Sequence, residues 1–173
     1  ARKDFWNGSF PWVSPKDMKY DTISDSQEKI TDAALTKRTP ILPKDSILIV
    51  VRGMILAHTF PVARTLRDVT INQDMKGIIP SKYFLCDFIF HWFKNNDRNF
   101  LKLTEESTHG TKRISTDILF SMNIPKPPLE EQKKAVILLN RIMNEISAIK
   151  SKIDINILLK KKLYNNLVGF SHV

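Results

Sequence analysis

Apolar positions along the 173-residue chain follow two regimes, short runs broken by polar, Gly and Pro residues up to Pro128 and an uninterrupted helical spacing after it. In the first regime Phe10-Pro11-Trp12-Val13 reads as a short buried strand, and Ser14-Pro15-Lys16-Asp17 as a capped single turn with Pro at its first position. From Asp21 to Leu42 the chain is polar, and a short helix is expected near Ile30–Lys37. Ser46-Ile47-Leu48-Ile49-Val50-Val51 is a continuous apolar, largely β-branched run, the pattern of a strand buried on both faces, and Arg52-Gly53 ends it. Phe60–Leu66, Val69–Asn72 and Met75–Ile79 read as further strands. After Pro80, Ser81 caps a helix reaching about Asn95, with Tyr83, Phe84, Phe88 and Trp92 on a core-facing side. A polar stretch, Thr104–Arg113, precedes a short helix opened by Ser115. Ile124-Pro125-Lys126-Pro127-Pro128 then stops regular structure and marks the sharpest boundary in the chain.

Leu129–Leu167 contains no Gly or Pro and repeats in sevens. One series is Leu139, Ile146, Ile153, Lys160 and Leu167; its companion is Ile142, Ile149, Asn156 and Leu163. Seven of these nine seam positions are apolar, a coiled-coil pattern rather than a wide globular face. At about 1.5 Å per residue the helix runs roughly 58 Å, longer than a small globule can cover, so its seam demands a partner helix. Leu139, Ile142, Ile146, Ile149, Ile153, Leu163 and Leu167 are the expected pairing residues, with Asn156 and Lys160 setting register. The expected fold is α+β, a mixed-sheet globular domain at 1–128 followed by a coiled-coil helix at 129–173.

Composition narrows the function classes. Lys plus Arg number 27 against 18 Asp plus Glu, a formal charge of +9 that favours a polyanionic partner, nucleic acid before membrane. No run of eighteen apolar residues and no N-terminal signal pattern is present, so no membrane partner is expected. The single cysteine, Cys86, excludes an internal disulfide framework and suits a reducing, cytoplasmic setting. The residues after Ala1 read as the middle of a domain, so a truncated N-terminus is expected.

Several segments, in order, resemble the specificity subunits of type I restriction–modification enzymes. They are Trp12-Val13-Ser14-Pro15-Lys16-Asp17, the strand Ser46–Gly53 followed by Pro61, Asn72-Gln73-Asp74, Gly110-Thr111-Lys112-Arg113-Ile114-Ser115, and Ile124-Pro125-Lys126-Pro127-Pro128-Leu129-Glu130-Glu131-Gln132. In that family such a series closes a target recognition domain, and the Pro-Pro-Leu-Glu-Glu-Gln element opens a spacer helix. The usual subunit carries two recognition domains and two helices; this chain carries one of each, half a subunit. The resemblance implies recognition of one half of a bipartite target in double-stranded DNA, docking of methyltransferase (modification) subunits and a restriction/motor subunit, and no catalysis by the chain itself. It implies that S-adenosylmethionine, ATP and Mg belong to partner subunits, with no cofactor on this chain. The helix would pair with a second recognition half or with a second copy.

The residues point the same way. The five glycines, Gly8, Gly53, Gly77, Gly110 and Gly169, form no Gly-x-Gly or phosphate-loop spacing. The four histidines do not cluster, and five helical residues separate Cys86 from His91, turning them about 140° apart, so no metal site is expected. Glu105-Glu106 and Glu130-Glu131 read as acids of solvated turns. Binding remains, and the DNA-contacting candidates are Arg52, Arg64, Arg67, Lys112 and Arg113, at predicted strand ends where loops emerge. Ser107–Arg113 reads equally as a backbone-gripping loop or as a turn supporting the sheet. The alternative to DNA recognition is a coiled-coil scaffold that binds only other proteins.

Overall fold

The computed structural model describes residues 3–35, 39–106 and 110–169. The chain divides into two units, Ala1–Lys133 and Lys134–Val173. The first is a mixed α+β domain, as the apolar pattern predicts.

Its strands are β1 (Trp6–Val13), β2 (Thr22–Ile23), β3 (Glu28–Ile30), β4 (Ile47–Val50), β5 (Val62–Thr65), β6 (Thr70–Ile71) and β7 (Met75–Ile78). One sheet runs β3-β1-β6 and a second β2-β5-β4-β7. β4 is central because all four of its residues, Ile47, Leu48, Ile49 and Val50, are completely buried. A strand with no solvated face must also pair both edges, and β5 and β7 flank it antiparallel, with Leu48 opposite Ala63 on one side and Gly77 on the other. Helix α1 (Cys86–Asn95) packs on β5 and β4 and turns directly into α2 (Asp97–Lys102). Phe60, Phe93 and Phe100 stack in the core, with the Phe60 and Phe100 rings 4.6 Å apart. A hairpin of β8 (Thr104–Glu106) and β9 (Lys112–Ile114) follows, then α3 (Thr116–Phe120).

The turn at Ser14 is built as expected. Ser14 N–H and its hydroxyl both donate to the Asp17 carboxylate, and the Asp17 N–H donates to the Ser14 carbonyl. β1 carries a bulge, since both Trp6 and Phe10 face Ile30. Asn7 sits there at φ 64°, and a Cβ on Gly8 would lie 2.1 Å from the Ile30 carbonyl oxygen, so only glycine fits.

Three expectations are corrected. No helix forms at Ile30–Lys37 among the described residues. Glu28–Ile30 pairs with β1 instead, Thr31 N–H donates to the Phe5 carbonyl, and Asp32–Ala34 makes one 3-10 turn; Thr36 and Lys37 lie outside the described residues. The helix expected from Ser81 starts at Cys86, because Leu85 is held extended (ψ 137°) with its N–H given to the Gln132 side chain. Tyr83 is consequently not a core residue; it is half exposed, with the Lys126 ammonium 3.8 Å from its ring centre. The polar stretch Thr104–Arg113 holds a strand pair, and residues 107–109 are outside the described residues.

Helix α4 (Leu129–Gly169) begins in this unit. Gln132 on its first turns is fully buried and fully satisfied: Oε1 accepts from Leu85 N–H at 2.9 Å, and Nε2 donates to the Tyr83 and Pro127 carbonyls, each at 2.8 Å. Two segments 47 residues apart in sequence are thereby joined by one carboxamide. The rest of α4 forms the second unit, where the seam residues Leu139, Ile142, Ile146, Ile149, Ile153, Leu163 and Leu167 are all exposed. Ile155, Leu158 and Leu159 add exposed apolar surface off that seam.

Replacing Gln132 with Leu strands one buried N–H and two carbonyls, so a loss of about 2–4 kcal/mol is expected in urea unfolding followed by tryptophan fluorescence. An unchanged midpoint would show that the carboxamide is dispensable. Burial, with Asp87 next to it, pushes the half-buried Cys86 thiol up to about 12 from its ordinary 9.0. Iodoacetamide at pH 8 should therefore label it slowly in the folded chain and fast in urea. An unfolded chain sheds this proton near pH 9 and the folded one near 12, so Cys86 makes stability fall as pH rises between those values.

Candidate nucleic-acid interface

Beyond Val50 the chain of β4 continues to Arg52, and two segments converge on it. The N–H groups of Val51 and Arg52 both donate to the Asp74 carbonyl, at 2.8 and 3.2 Å, which brings the turn before β7 alongside. Ile114 N–H donates to the Val51 carbonyl and Gly53 N–H to the Lys112 carbonyl, both at 2.9 Å, which seats β9 against the same stretch. Gly53 lies at φ 143°, a conformation side chains disfavour, and this lets the backbone leave the strand at that point. The result is an antiparallel bridge between Arg52 and Arg113, 61 residues apart in sequence. The two arginines open onto a cleft of about 430 Å³ whose lining also includes Gln73, Lys76, Glu105 and Thr116.

Arg52, Lys112 and Arg113 each face a carboxylate. Glu105 stands opposite Arg113 and Glu106 opposite Lys112 in the hairpin register. Lys112 Nζ lies 2.7 Å from Glu106 Oε2, Arg113 Nη2 3.4 Å from Glu105 Oε2, and Arg52 Nε 4.0 Å from Asp74 Oδ1. The Lys112 hydrogen bond, with its charge, holds the Glu106 carboxyl below the usual carboxylate range. Glu105 and Glu106 are thus strand residues that counter the cations, not acids of a solvated turn. Such exposed pairs stabilise a fold little, by about 0–1 kcal/mol. Their consequence is where they hold the cations.

Of the five cations singled out in sequence, Arg52, Lys112 and Arg113 gather at this end of β4. Arg64 pairs with Ile47 at the other end, about 16 Å away along the strand. Its guanidinium is engaged by Asp87 in the first turn of α1, and its N–H donates to the Asp21 carbonyl at 2.9 Å. Arg67 follows β5, close enough for its charge to act on Asp25. Gln73, part of the Asn72-Gln73-Asp74 element, and Lys76 and Thr116 were not among the DNA-contacting candidates; they join the cleft because β7 and α3 start beside Arg52, a neighbourhood no local pattern signals. Among the described residues no group of three His, Cys, Asp or Glu side chains is placed to hold a metal ion, and no helix is long and apolar enough to cross a membrane.

Comparison with known proteins places this geometry in a family. The family model described as the type I restriction modification DNA specificity domain matches residues 2–159. The chain is 35% identical over 163 residues to the EcoR124I/EcoR124II specificity subunit of Escherichia coli, covering 93% of this chain and 40% of that protein. It is 30% identical over 170 residues to the MjaIX specificity subunit of Methanocaldococcus jannaschii, covering 95% and 38%. The chain therefore spans about two fifths of the length of these curated relatives. Among solved structures it is similar in fold to the HsdS subunit from Thermoanaerobacter tengcongensis (TM-score 0.68, 16% identity, 87% of this chain and 34% of that one). A chain from a study of complex assembly and conformational transition in the type I R-M system gives TM-score 0.68 at 17% identity, over 87% and 35% of the two chains. With its sequence matched almost end to end, this chain belongs to the type I restriction modification DNA specificity domain family.

Proposed function

We propose that the chain reads one half of a bipartite target in double-stranded DNA within a type I restriction–modification complex, and that it contributes no catalytic step. What carries this reading is the cleft at the end of β4, where strand pairing delivers Arg52 and Arg113 to one opening beside Gln73 and Lys76. Arginine and glutamine are the side chains that pair bidentately with guanine and adenine edges in a major groove. Family membership favours this over a scaffold that binds only proteins.

In this reading the exposed seam of α4 pairs with the helix of a second recognition half or a second copy. The paired helices then dock the modification subunits, and the restriction/motor subunit joins through them. S-adenosylmethionine, ATP and Mg would be held by those partners. The apolar seam supports this, because an exposed row of Leu and Ile over so many turns is unstable in water without a partner.

Two experiments test the two halves of the proposal. Replacing Ile146, Ile149 and Ile153 together by Glu should abolish self-association in sedimentation, or capture of modification subunits, while the fluorescence of Trp6, Trp12 and Trp92 stays native. Unchanged assembly would remove the seam's role. In DNA binding, Arg52→Ala and Arg113→Ala should each cost about 1–3 kcal/mol and relax one target position. Arg64→Ala, which breaks the pair with Asp87, should leave the target preference intact and lower folding stability by about 1–2 kcal/mol. Equal effects of all three on target preference would mean that DNA does not lie at the Arg52 end of β4.

A further inference from the structure

In a chain of formal charge +9, each arginine at the cleft nevertheless has a carboxylate beside it. Arg52, Lys112 and Arg113 are matched by Asp74, Glu106 and Glu105, leaving Lys76 as the lining cation without a carboxylate in these pairs. A site built to hold phosphates would gather cations and exclude acids, because each phosphate brings a full negative charge. Here a phosphate reaching either arginine would have to approach a carboxylate as well. A base edge is neutral and meets no such repulsion.

The pair geometry separates the roles further. Lys112 is held tightly, at 2.7 Å from Glu106. The Arg113 contact at 3.4 Å is a long hydrogen bond, and the Arg52 contact at 4.0 Å is attraction without one. A guanidinium has five N–H donors, so both arginines keep most of theirs for a ligand while a carboxylate stays beside each. Their side chains are 60% and 55% exposed. The neutral hydrogen-bonding partners in the lining, Gln73 and Thr116, complement base edges in the same way.

Resting on the DNA-recognition reading above, we propose that Asp74 and Glu105 are specificity-determining positioning residues: they hold Arg52 and Arg113 toward base edges and repel phosphate, so the cleft reads sequence and the phosphate grip lies on cations elsewhere. Removing either carboxylate turns a reader into a general anion site.

The test uses the full 173-residue chain and a pool of random-sequence duplexes, measuring the selected motif, the affinity for the unselected pool and its salt dependence. Asp74→Asn and Glu105→Gln should bind the unselected pool roughly three- to tenfold more tightly, with a salt slope steeper by about one, and should select a motif degraded at one position. Arg52→Ala and Arg113→Ala should degrade the same positions while binding more weakly. The Glu and Asp swaps that keep a carboxylate, Asp74→Glu and Glu105→Asp, should retain the wild-type motif. A damaged fold does not tighten binding, so the gain separates positioning from simple support. Amide variants that match wild type in pool affinity and motif would overturn the proposal, as would arginine variants that keep the full motif. A wild-type chain that selects no motif would instead bring down the DNA-recognition reading itself, and this inference with it.

Discussion

A strand buried on both faces cannot leave its backbone polar groups to water, and the domain is organised around meeting that demand at Ile47–Val50. β5 and β7 satisfy the two edges, and α1 covers one region of the sheet with Ile89, Phe90 and Phe93 buried in the core. Where β4 runs out of sheet partners, at Val51 and Arg52, the same demand is met by less regular means: the Asp74 carbonyl, then Lys112 and Ile114 of the hairpin. Those substitutions for a ladder are what create the cleft. The proposed DNA-reading surface is thus the place where the central strand's hydrogen bonding is completed from elsewhere in the chain.

Charge is distributed against intuition. A strongly basic chain directs attention to clusters of Lys and Arg, yet Arg52, Lys112 and Arg113 each have a carboxylate beside them, and Arg64 is taken up by Asp87 between sheet and helix. Exposed pairs of this kind add little to folding. They shape the local field, and in the proposed reading that field favours base edges over phosphate at the two arginines.

Gln132 shows how an apparently polar helix start is a structural joint. In the string Pro127-Pro128-Leu129-Glu130-Glu131-Gln132 the two acids remain exposed, while Gln132 turns inward and satisfies two backbone groups of the segment before α1 and the Pro127 carbonyl of its own string. Buried amides are costly unless every donor and acceptor is met, so once all are met the geometry is sharply selected. The helix start and the entry to α1 are fixed by the same side chain.

Much of the fold was legible in the residues themselves. The all-apolar Ile47–Val50 run identified the central strand, Ser14-Pro15-Lys16-Asp17 its capped turn, and the heptads after Leu129 the long helix, because each signal is local and repeats with the period of its own element. The order of short motifs along the chain carries the family resemblance in the same local way. What tertiary structure decided was everything that depends on distant partners. Ile30 became a strand residue because β1 was there to pair with it, and Leu85 stayed out of the helix because Gln132 claimed its N–H. The grouping of Arg52 with Arg113, the separation of Arg64 from both, and the pairing of Glu105 and Glu106 with cations follow from strand register across 61 residues of chain. Register is set by which backbone groups find one another in the folded state, and a linear pattern of polar and apolar positions carries no record of that choice.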